Sequence, residues 1–349
     1  MQLALQQARL CGNDTSPNPR VGCVIVKEGV LLGAGHTQPP GGNHAEIEAL
    51  RAAQAQQQDV RGATAYVTLE PCSHFGRTPP CADALVKAGL ARVVAAIGDP
   101  NPQVAGQGMA KLAQAGIAVQ LGMLQEAARD INLGFFKRMQ TGLPWVRMKV
   151  AASLDGKTAL KNGQSQWITG AEARQDGHAW RARADVILTG IGTVQADDPQ
   201  LNVRGIAVKR QPRRLIVDSK LDISLQAKIV QDGTAMIAFA QRNLEKEAQL
   251  QALGLELLYL PNSSGKVDLP ALLRELGQRN VNEVHVEAGL KLHASLLREG
   301  CVDELLLYFA PKILGDAQTM FALPALQALA DLPAQQQCKF HAVEQIGAD

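Results

Sequence analysis

Apolar runs alternate with helical patterns through the first 135 residues. Three runs are short, are rich in Val, Ile and Ala, and end near glycine or polar residues, which is typical of buried strands: 21–26, 63–69 and 91–97. The segments 45–57, 81–88 and 106–115 show the apolar spacing of helices, and they alternate with these runs along the chain. Strands that alternate with helices predict an α/β layer fold with a partly parallel sheet.

The second half of the chain repeats this alternation. Its predicted strands are 145–151, 186–189, 214–217, 235–239, 283–287 and 304–308. Between the halves, the segment 137–144 is charged and then contains Gly142 and Pro144, which is typical of a domain boundary. A chain of 349 residues also suits two domains. We therefore expect α/β domains at residues 1–140 and 145–349.

Composition and charge narrow the class of protein. Lys plus Arg number 35 and Asp plus Glu 33, and 4% of residues are aromatic, which argues against nucleic acid or an anionic membrane as a partner. No apolar run reaches the length of a membrane helix, and residues 1–10 resemble a short amphipathic helix and not a signal peptide. Six cysteines in such a chain are expected to be reduced thiols. A cytoplasmic enzyme is predicted.

The strongest chemical motif is His44-Ala45-Glu46, followed by Cys72 and Cys81. One histidine and two cysteines form a three-ligand zinc set that leaves a fourth position for water. Zinc lowers the pKa of bound water from near 16 to about 7, so that hydroxide is available at neutral pH. Glu46 can accept the water proton and deliver it to a leaving amine, as the glutamate of zinc deaminases does. These residues predict hydrolytic deamination.

Two alternatives share these ligands. Eight residues separate Cys72 from Cys81, a wider spacing than the usual deaminase signature, and a structural zinc site with His74 as fourth ligand stays open. Cys81 nevertheless opens a helical pattern, where a thiolate is favoured. A nucleic-acid deaminase would also need a basic face and stacking aromatic residues, which the composition disfavours.

Further motifs make the chain resemble the bifunctional deaminase–reductases of riboflavin biosynthesis. They run in family order over nearly the full length, at 17–22, 44–46, 67–81, 99–102, 152–157, 165–169, 197–199 and 310–312. The resemblance implies two three-layer α/β domains, the first similar to cytidine deaminases and the second similar to dihydrofolate reductase. It also implies a homo-oligomer, a dimer or tetramer, formed through the second domain.

The resemblance implies two consecutive reactions on small-molecule substrates. The first domain would use zinc to hydrolyse the 2-amino group of 2,5-diamino-6-ribosylamino-4(3H)-pyrimidinone 5′-phosphate. The second would use NADPH to reduce the ribosyl side chain of 5-amino-6-(5-phosphoribosylamino)uracil to ribityl. By position in the motifs, the deaminase substrate would contact Asn18, His36, His74 and Arg77. An arginine suits the substrate phosphate as a bidentate donor.

Two segments of the second half are candidates for binding phosphate. Residues 190–193 follow a strand but lack the third glycine of a Rossmann fingerprint, so that a turn is predicted. Residues 287–295 predict a strand end, a glycine turn and a helix start, whose free N–H groups suit a phosphate. An ordinary strand–helix turn is the alternative there. Spacing alone does not decide between NADPH and NADH.

The resemblance places further residues in the reductase site. NADPH contacts would fall on Ala151, Trp167, Thr193, Asp197, Ser219, Gly289, Leu290, Lys291, Leu292, His293, Ala294 and Ser295. The reductase substrate would meet Lys149, Ser165, Arg181, Leu201, Arg204 and Glu287. We expect Lys149 to orient the opened sugar while hydride reaches its C1. The sequence stops at residues 345–349, where family members usually continue into another strand. We expect this difference to affect the edge of the reductase sheet and not the site residues named above.

Overall fold

The computed structural model describes residues 1–75, 79–102 and 105–349. The chain divides into two compact units, Met1–Leu143 and Pro144–Asp349. The segment 137–144, which the sequence suggested as a linker, is partly helical. Its first five residues complete a helix, and Gly142 ends that helix in the left-handed conformation.

The first unit is an α/β unit built on one five-stranded sheet. Its strands are β1 (Gly22–Lys27), β2 (Val30–His36), β3 (Thr64–Val67), β4 (Arg92–Ala95) and β5 (Ala118–Leu121). Its helices are α1 (Gln2–Arg9), α2 (Ala45–Ala55), α3 (Cys81–Lys87), α4 (Gln107–Gln114), α5 (Gln125–Ile131) and α6 (Leu133–Thr141). The sheet order is β2-β1-β3-β4-β5, with β1 antiparallel to both neighbours and the remaining pairs parallel.

The three strands and four helices predicted in this unit are confirmed, whereas β2, β5, α5 and α6 were not predicted. Strand β2 contains Gly33 and Gly35, which lack the β-branched side chains that typify strands. Both glycines lie against α2: a Cβ on Gly33 would stand 2.2 Å from the carbonyl oxygen of Ala49, and one on Gly35 would stand 2.5 Å from its amide nitrogen. Close packing of α2 on the sheet therefore requires glycine there.

The core of this unit joins the sheet to its helices. Ile25 and Val93 of the sheet belong to one buried cluster with Leu85 of α3 and Leu112 of α4. The same cluster includes Ala45 and Ala49 of α2. The first residues of α2 and α3 are thereby fixed relative to the sheet, and these two helix starts carry the candidate chemistry.

The second unit is an α/β unit with a seven-stranded sheet. Its strands are β6 (Trp145–Ser153), β7 (Lys157–Ala159), β8 (Val186–Gly190), β9 (Arg213–Val217), β10 (Met236–Phe239), β11 (Glu256–Tyr259), β12 (Glu283–Val286), β13 (Glu304–Ala310) and β14 (Gln318–Thr319). Its α-helices are α7 (Ala171–Arg183), α8 (Ile191–Asp197), α9 (Leu244–Ala252), α10 (Leu269–Gln278) and α11 (Leu290–Arg298).

Seven of these strands form one sheet in the order β11-β10-β9-β8-β12-β6-β13, and every adjacent pair is parallel. The other two, β7 and β14, pair with each other in an antiparallel ribbon. The six predicted strands are confirmed, while β7, β11 and the short β14 were not predicted. The prediction of a turn at 190–193 was wrong, because helix α8 begins at Ile191 directly after β8. In a parallel sheet all carboxyl ends meet at one edge, where ligands bind in α/β folds.

Within the described ranges, the structure contains no helix long and apolar enough to cross a membrane.

Candidate active sites

The predicted metal ligands come together in the first unit. His44 immediately precedes α2, Cys72 lies in the segment after β3, and Cys81 is the first residue of α3. The Nδ1 atom of His44 is 3.6 Å from Sγ of Cys72 and 3.3 Å from Sγ of Cys81. The ligand atoms of all three residues lie within 4.8 Å of one another. A single ion could therefore contact all three side chains.

The electrostatics of this cluster favour a thiolate. The backbone N–H of Cys81 donates to Sγ of Cys72 at 3.3 Å. The Cys81 thiol and His44 together lower the pKa of Cys72 to about 4, although burial opposes the charge. One imidazole nitrogen and two sulfurs form a donor set that zinc prefers, and three protein ligands leave one position of a tetrahedral site free. The residues present therefore fit zinc.

Glu46 stands beside the cluster, in the first turn of α2. It is 3% exposed and is the second residue after His44. Burial raises its pKa to about 7, and the negative charge of Cys72 contributes to the rise. A carboxyl group whose pKa is near the working pH can both take up and release a proton. Such a carboxyl group suits the acid–base role expected of Glu46.

The predicted deaminase substrate residues lie on several loops of this unit. Asn18 is half-buried in the segment before β1, and His36 is the last residue of β2. His74 is half-buried two residues after Cys72, with its Nδ1 atom shielded from solvent. It lies outside the three-residue cluster found among the described residues, so the alternative with His74 as a fourth ligand gains no support. Arg77 lies outside the described residues.

The structure adds residues near this site to which the sequence gave no role. The buried carboxylate of Glu70 accepts hydrogen bonds from the backbone N–H groups of Gly106 and Gly108, each at 3.0 Å, at the start of α4. Asp99 donates its own backbone N–H to Glu70 at 3.3 Å. Burial raises the pKa of Asp99 to about 6, and the charges of Glu70 and Cys72 contribute. Glu70 lies in the 67–81 motif and Asp99 in the 99–102 motif, and their place in these motifs was the only sequence signal that could have pointed to them.

In the second unit, charged side chains gather on one face of the sheet near its carboxyl edge. Lys149 follows Met148, which is opposite Val286 in the register, so that Lys149 is level with Glu287 at the end of β12. The guanidinium group of Arg181 on α7 donates to both carboxylate oxygens of Glu287, one of them at 2.8 Å. Burial opposes ionisation of Glu287, but the hydrogen-bonded guanidinium group of Arg181 holds its pKa well below the usual value, and Nε2 of His285, 3.4 Å from Oε1, contributes.

His178 belongs to the same group, and the sequence analysis missed it. Its Nδ1 atom accepts the backbone N–H of Arg204 at 3.2 Å. Burial lowers the pKa of His178, and the positive charges of Arg181, Arg204 and Lys149 lower it further. The nearest signal in the sequence was the spacing of polar residues in the 171–183 helix, where His178 and Arg181 are three residues apart.

Two helix starts meet at the carboxyl edge. Helix α8 begins after Gly190 and α11 begins after Gly289. A Cβ on Gly190 would stand 3.1 Å from Leu292, and one on Gly289 would stand 3.8 Å from Oγ1 of Thr193. The predicted strand end, glycine turn and helix start at 287–295 are confirmed. Free N–H groups of the α11 start can receive a phosphate.

His293 fixes this second turn from inside α11. Its Nε2 atom accepts the backbone N–H of Ala288 at 3.3 Å, and burial lowers its pKa to about 4. Of the other predicted cofactor residues on α11, Ala294 is buried, Leu290, Leu292 and Ser295 are half-buried, and Lys291 is exposed. Gly289 and Lys291 are therefore the most accessible residues of this turn.

The remaining predicted reductase residues are distributed along the same unit. Ala151 lies on β6, and Ser219 lies two residues after β9, where its Oγ accepts the N–H of Val267 at 3.2 Å. Leu201 is buried beside Asn202, whose carbonyl accepts from Arg181 at 3.1 Å. Trp167 is exposed, with the Arg174 guanidinium 4.5 Å from its ring centroid. Asp197 is exposed at the end of α8, and Ser165 is half-buried before α7.

Comparison with known families separates the two units. Residues 144–349 match the RibD C-terminal domain. Residues 1–97 match the zinc-binding region of cytidine and deoxycytidylate deaminases. The second match covers the segment that contains His44, Glu46, Cys72 and Cys81.

Full-length relatives combine both parts. The chain is 46% identical over 363 residues to the riboflavin biosynthesis protein RibD of Escherichia coli K12, covering 100% of this chain and 96% of the relative. A solved structure of Acinetobacter baumannii RibD is 44% identical and superposes with a TM-score of 0.88, covering 99% of this chain and 95% of that one. A Thermotoga maritima structure described as a diaminohydroxyphosphoribosylaminopyrimidine deaminase/5-amino-6-(5-phosphoribosylamino)uracil reductase is 33% identical, with a TM-score of 0.85 over 95% and 91% of the two chains.

Proposed function

This chain belongs to the RibD family of riboflavin biosynthesis proteins, and on that basis we propose how its residues divide the work of a bifunctional enzyme. The protein is a zinc-dependent deaminase and an NADPH-dependent reductase. We assign deamination of the diaminopyrimidinone ribosylamino phosphate to residues 1–140. We assign to residues 145–349 the reduction of the ribosyl side chain of the resulting aminouracil to ribityl.

For the deaminase, His44, Cys72 and Cys81 hold the zinc ion. Zinc, when bound, supplies a water that ionises at neutral pH. Glu46 accepts the proton of the attacking water and delivers it to the amino group that leaves as ammonia. Burial of Glu46 supports this role, because it raises the pKa of the carboxyl group to about 7. Asn18, His36, His74 and Arg77 bind the pyrimidine and its ribosyl phosphate.

For the reductase, Lys149 and the Arg181–Glu287 pair face the substrate. Lys149 orients the opened sugar, and Arg181, held by Glu287, presents its remaining N–H groups in a fixed direction. Arg204, Ser165 and Leu201 complete the substrate site. The task of this site is to place the substrate carbon against the nicotinamide, since NADPH itself supplies the hydride.

We assign the cofactor to the two helix starts. Gly289, Leu290, Lys291 and Leu292 offer the backbone N–H groups of the helix start to its phosphates, and Thr193 of α8 lies next to them. His293, Ala294 and Ser295 complete the cofactor segment of α11. Ala151, Trp167, Asp197 and Ser219 line the remaining length of the site. Closeness of Thr193 to Gly289 supports a single cofactor site that uses both helices.

We also propose that the protein forms a homo-oligomer, a dimer or tetramer, through the second unit and works in the cytoplasm. Among the described residues, β13 is an edge strand of the seven-stranded sheet. Its residues Leu305 and Leu307 are half-buried. An open edge of this kind offers backbone groups for pairing with another chain. A light-scattering mass equal to one chain would contradict the oligomer.

The observation that carries the proposal is the cluster of His44, Cys72 and Cys81 with buried Glu46 beside it. The experiment is mass spectrometry of the diaminopyrimidinone ribosylamino phosphate after incubation with the purified protein, with and without NADPH. We expect the deaminated product alone without NADPH, and the deaminated and reduced product with it. A substrate mass that stays unchanged, with zinc shown to be bound, would contradict the deaminase assignment.

A further inference from the structure

We propose that Tyr308 and Asp176 form a positioning pair that holds the ammonium group of Lys149 in the reductase site. The inference rests on the proposed function, because it is the reduction that gives Lys149 its task. Lys149 lies on β6, Tyr308 on the neighbouring strand β13, and Asp176 on α7. Tyr308 thereby links Lys149 of β6 to Asp176 of α7.

The strand register places Tyr308 beside Lys149. In the parallel pairing of β6 with β13, Leu306 is opposite Lys149 and Tyr308 is opposite Ala151. Since alternate residues of a strand point to the same face, Lys149 and Tyr308 are diagonal neighbours on one face of the sheet. The Nζ atom of Lys149 is 5.7 Å from the centroid of the Tyr308 ring, within the range of a cation–π interaction.

Asp176 fixes the other end of Tyr308. The Tyr308 hydroxyl donates to Oδ2 of Asp176 at 2.5 Å, and Nε1 of Trp180 donates to the same oxygen at 3.1 Å. Tyr308 is 6% exposed, and burial together with Asp176 raises the pKa of its hydroxyl far above the usual value. The phenol therefore remains a donor, and its ring is held in place at both ends.

This arrangement restrains Lys149 without neutralising it. The carboxylate of Glu287 interacts electrostatically with Lys149, but its oxygens are already hydrogen-bonded to Arg181. An aromatic face attracts the ammonium group but accepts no conventional hydrogen bond from it. All three N–H groups of Lys149 can then be directed to the substrate. Hydrogen bonding to the Asp176 carboxylate enriches the ring in electrons and strengthens the attraction.

The first test is kinetic and compares matched variants. Tyr308→Leu removes the ring, and Tyr308→Phe removes only the hydroxyl. Tyr259→Leu is the control, because Tyr259 carries a similar contact with Arg242, 3.8 Å from the ring centroid, on the distant strand β11. With the deaminated substrate and NADPH, we expect Tyr308→Leu to lower kcat about tenfold and Tyr308→Phe about threefold, with the KM for NADPH unchanged. The control is expected to keep its kcat within about twofold.

The second test needs no turnover. Reductive methylation with ¹³C labels the lysines, and the Lys149 resonance is identified by its loss in Lys149→Arg. A group above an aromatic face is shifted upfield by the ring current, so we expect an upfield Lys149 signal that persists in Tyr308→Phe and returns to the common lysine position in Tyr308→Leu. An unshifted signal in the unmutated protein would overturn the positioning pair.

The two tests separate failure of this inference from failure of the proposed function. If Lys149→Ala retained full reductase activity while the unmutated protein showed the upfield signal, the role of Lys149 in the reduction would fall and the pair would stand. If Lys149→Ala lost activity but Tyr308→Leu kept full kcat, the pair would be overturned. Should Tyr308→Leu fail to fold, Tyr308→Phe and Asp176→Asn carry the test, and full kcat in both would overturn the proposal.

Discussion

The side chain of Asn132 forms two hydrogen bonds with the backbone of Arg20. The N–H of Arg20 donates to Oδ1 of Asn132 at 2.8 Å, and Nδ2 of Asn132 donates to the carbonyl of Arg20 at 2.9 Å. The guanidinium group of Arg20 also donates to the carbonyl of Ile131 at 3.0 Å. The junction between α5 and α6 thereby fixes the loop that carries Asn18, a predicted substrate residue.

Replacing Asn132 by Ala should loosen that loop. Two part-buried hydrogen bonds to the backbone of Arg20 are lost, so we expect the free energy of unfolding to fall by about 1–3 kcal/mol. The KM of deamination should rise while zinc content stays the same. Urea unfolding followed by circular dichroism, together with deaminase kinetics, checks this. Asn162→Ala on an exposed loop is the control, and equal KM values for both variants would argue against the role of Asn132.

Glu70 should stabilise the first unit through the start of α4. It is 4% exposed, and its two carboxylate oxygens accept four backbone N–H groups, from Asp99, Gly106, Gly108 and Met109. In Glu70→Gln the amide nitrogen cannot accept, and buried N–H groups lose their partners. We expect the free energy of unfolding to fall by about 2–4 kcal/mol, measured by urea titration.

A matched control for Glu70 is Glu126, an exposed glutamate in the first turn of α5. Glu126→Gln alters only a helix-terminal charge at the surface, so its effect should stay below about 1 kcal/mol. Similar losses in the two variants would mean that the buried hydrogen bonds of Glu70 contribute little.

Much of the fold could be predicted from local patterns. Buried strands such as β1, β4 and β10 are continuous apolar runs, and each was located within a few residues. Strand β5 was missed because its four residues are all exposed, which leaves no apolar alternation to detect. Residues 190–193 were taken for a turn because they lack the third glycine of a Rossmann fingerprint, although helix α8 begins at Ile191.

The candidate sites divide in a similar way. His44, Glu46, Cys72 and Cys81 lie in short motifs whose chemistry is legible from residue type and spacing. The pairing of Asn132 with Arg20 spans 112 positions of the chain, and that of Tyr308 with Asp176 spans 132. Contacts at such separations depend on strand order and helix placement, which no local pattern contains.

The pH dependence of stability should report the burial of His293. Its folded-state pKa is about 4, whereas an unfolded histidine has a pKa of about 6.5. Between these values the unfolded state binds more protons, so the free energy of unfolding falls as pH falls. For His293 alone the loss from pH 7 to pH 5 should be about 2 kcal/mol. The pKa of buried His285 is also lowered, and this adds to the same slope.

His293→Gln should remove its share of that slope while keeping an acceptor for the N–H of Ala288. Tryptophan fluorescence during urea unfolding is a suitable probe, because all three tryptophans, at 145, 167 and 180, lie in the second unit. The exposed His341→Gln is the control. A slope in His293→Gln as steep as that of the control would show that His293 is not held neutral by the fold.

Glu46→Gln tests the central claim, that a buried carboxyl group beside the three metal ligands transfers the proton during deamination. The substitution keeps the size and polarity of the side chain but removes its acid–base chemistry. Three quantities should be measured on the same preparation: zinc per chain, the rate of deamination, and the rate of NADPH oxidation with the deaminated intermediate supplied. We expect zinc content and reduction to be unchanged and deamination to fall by at least about 100-fold. Deamination within a few-fold of the unmutated protein, with zinc still bound, would contradict the account.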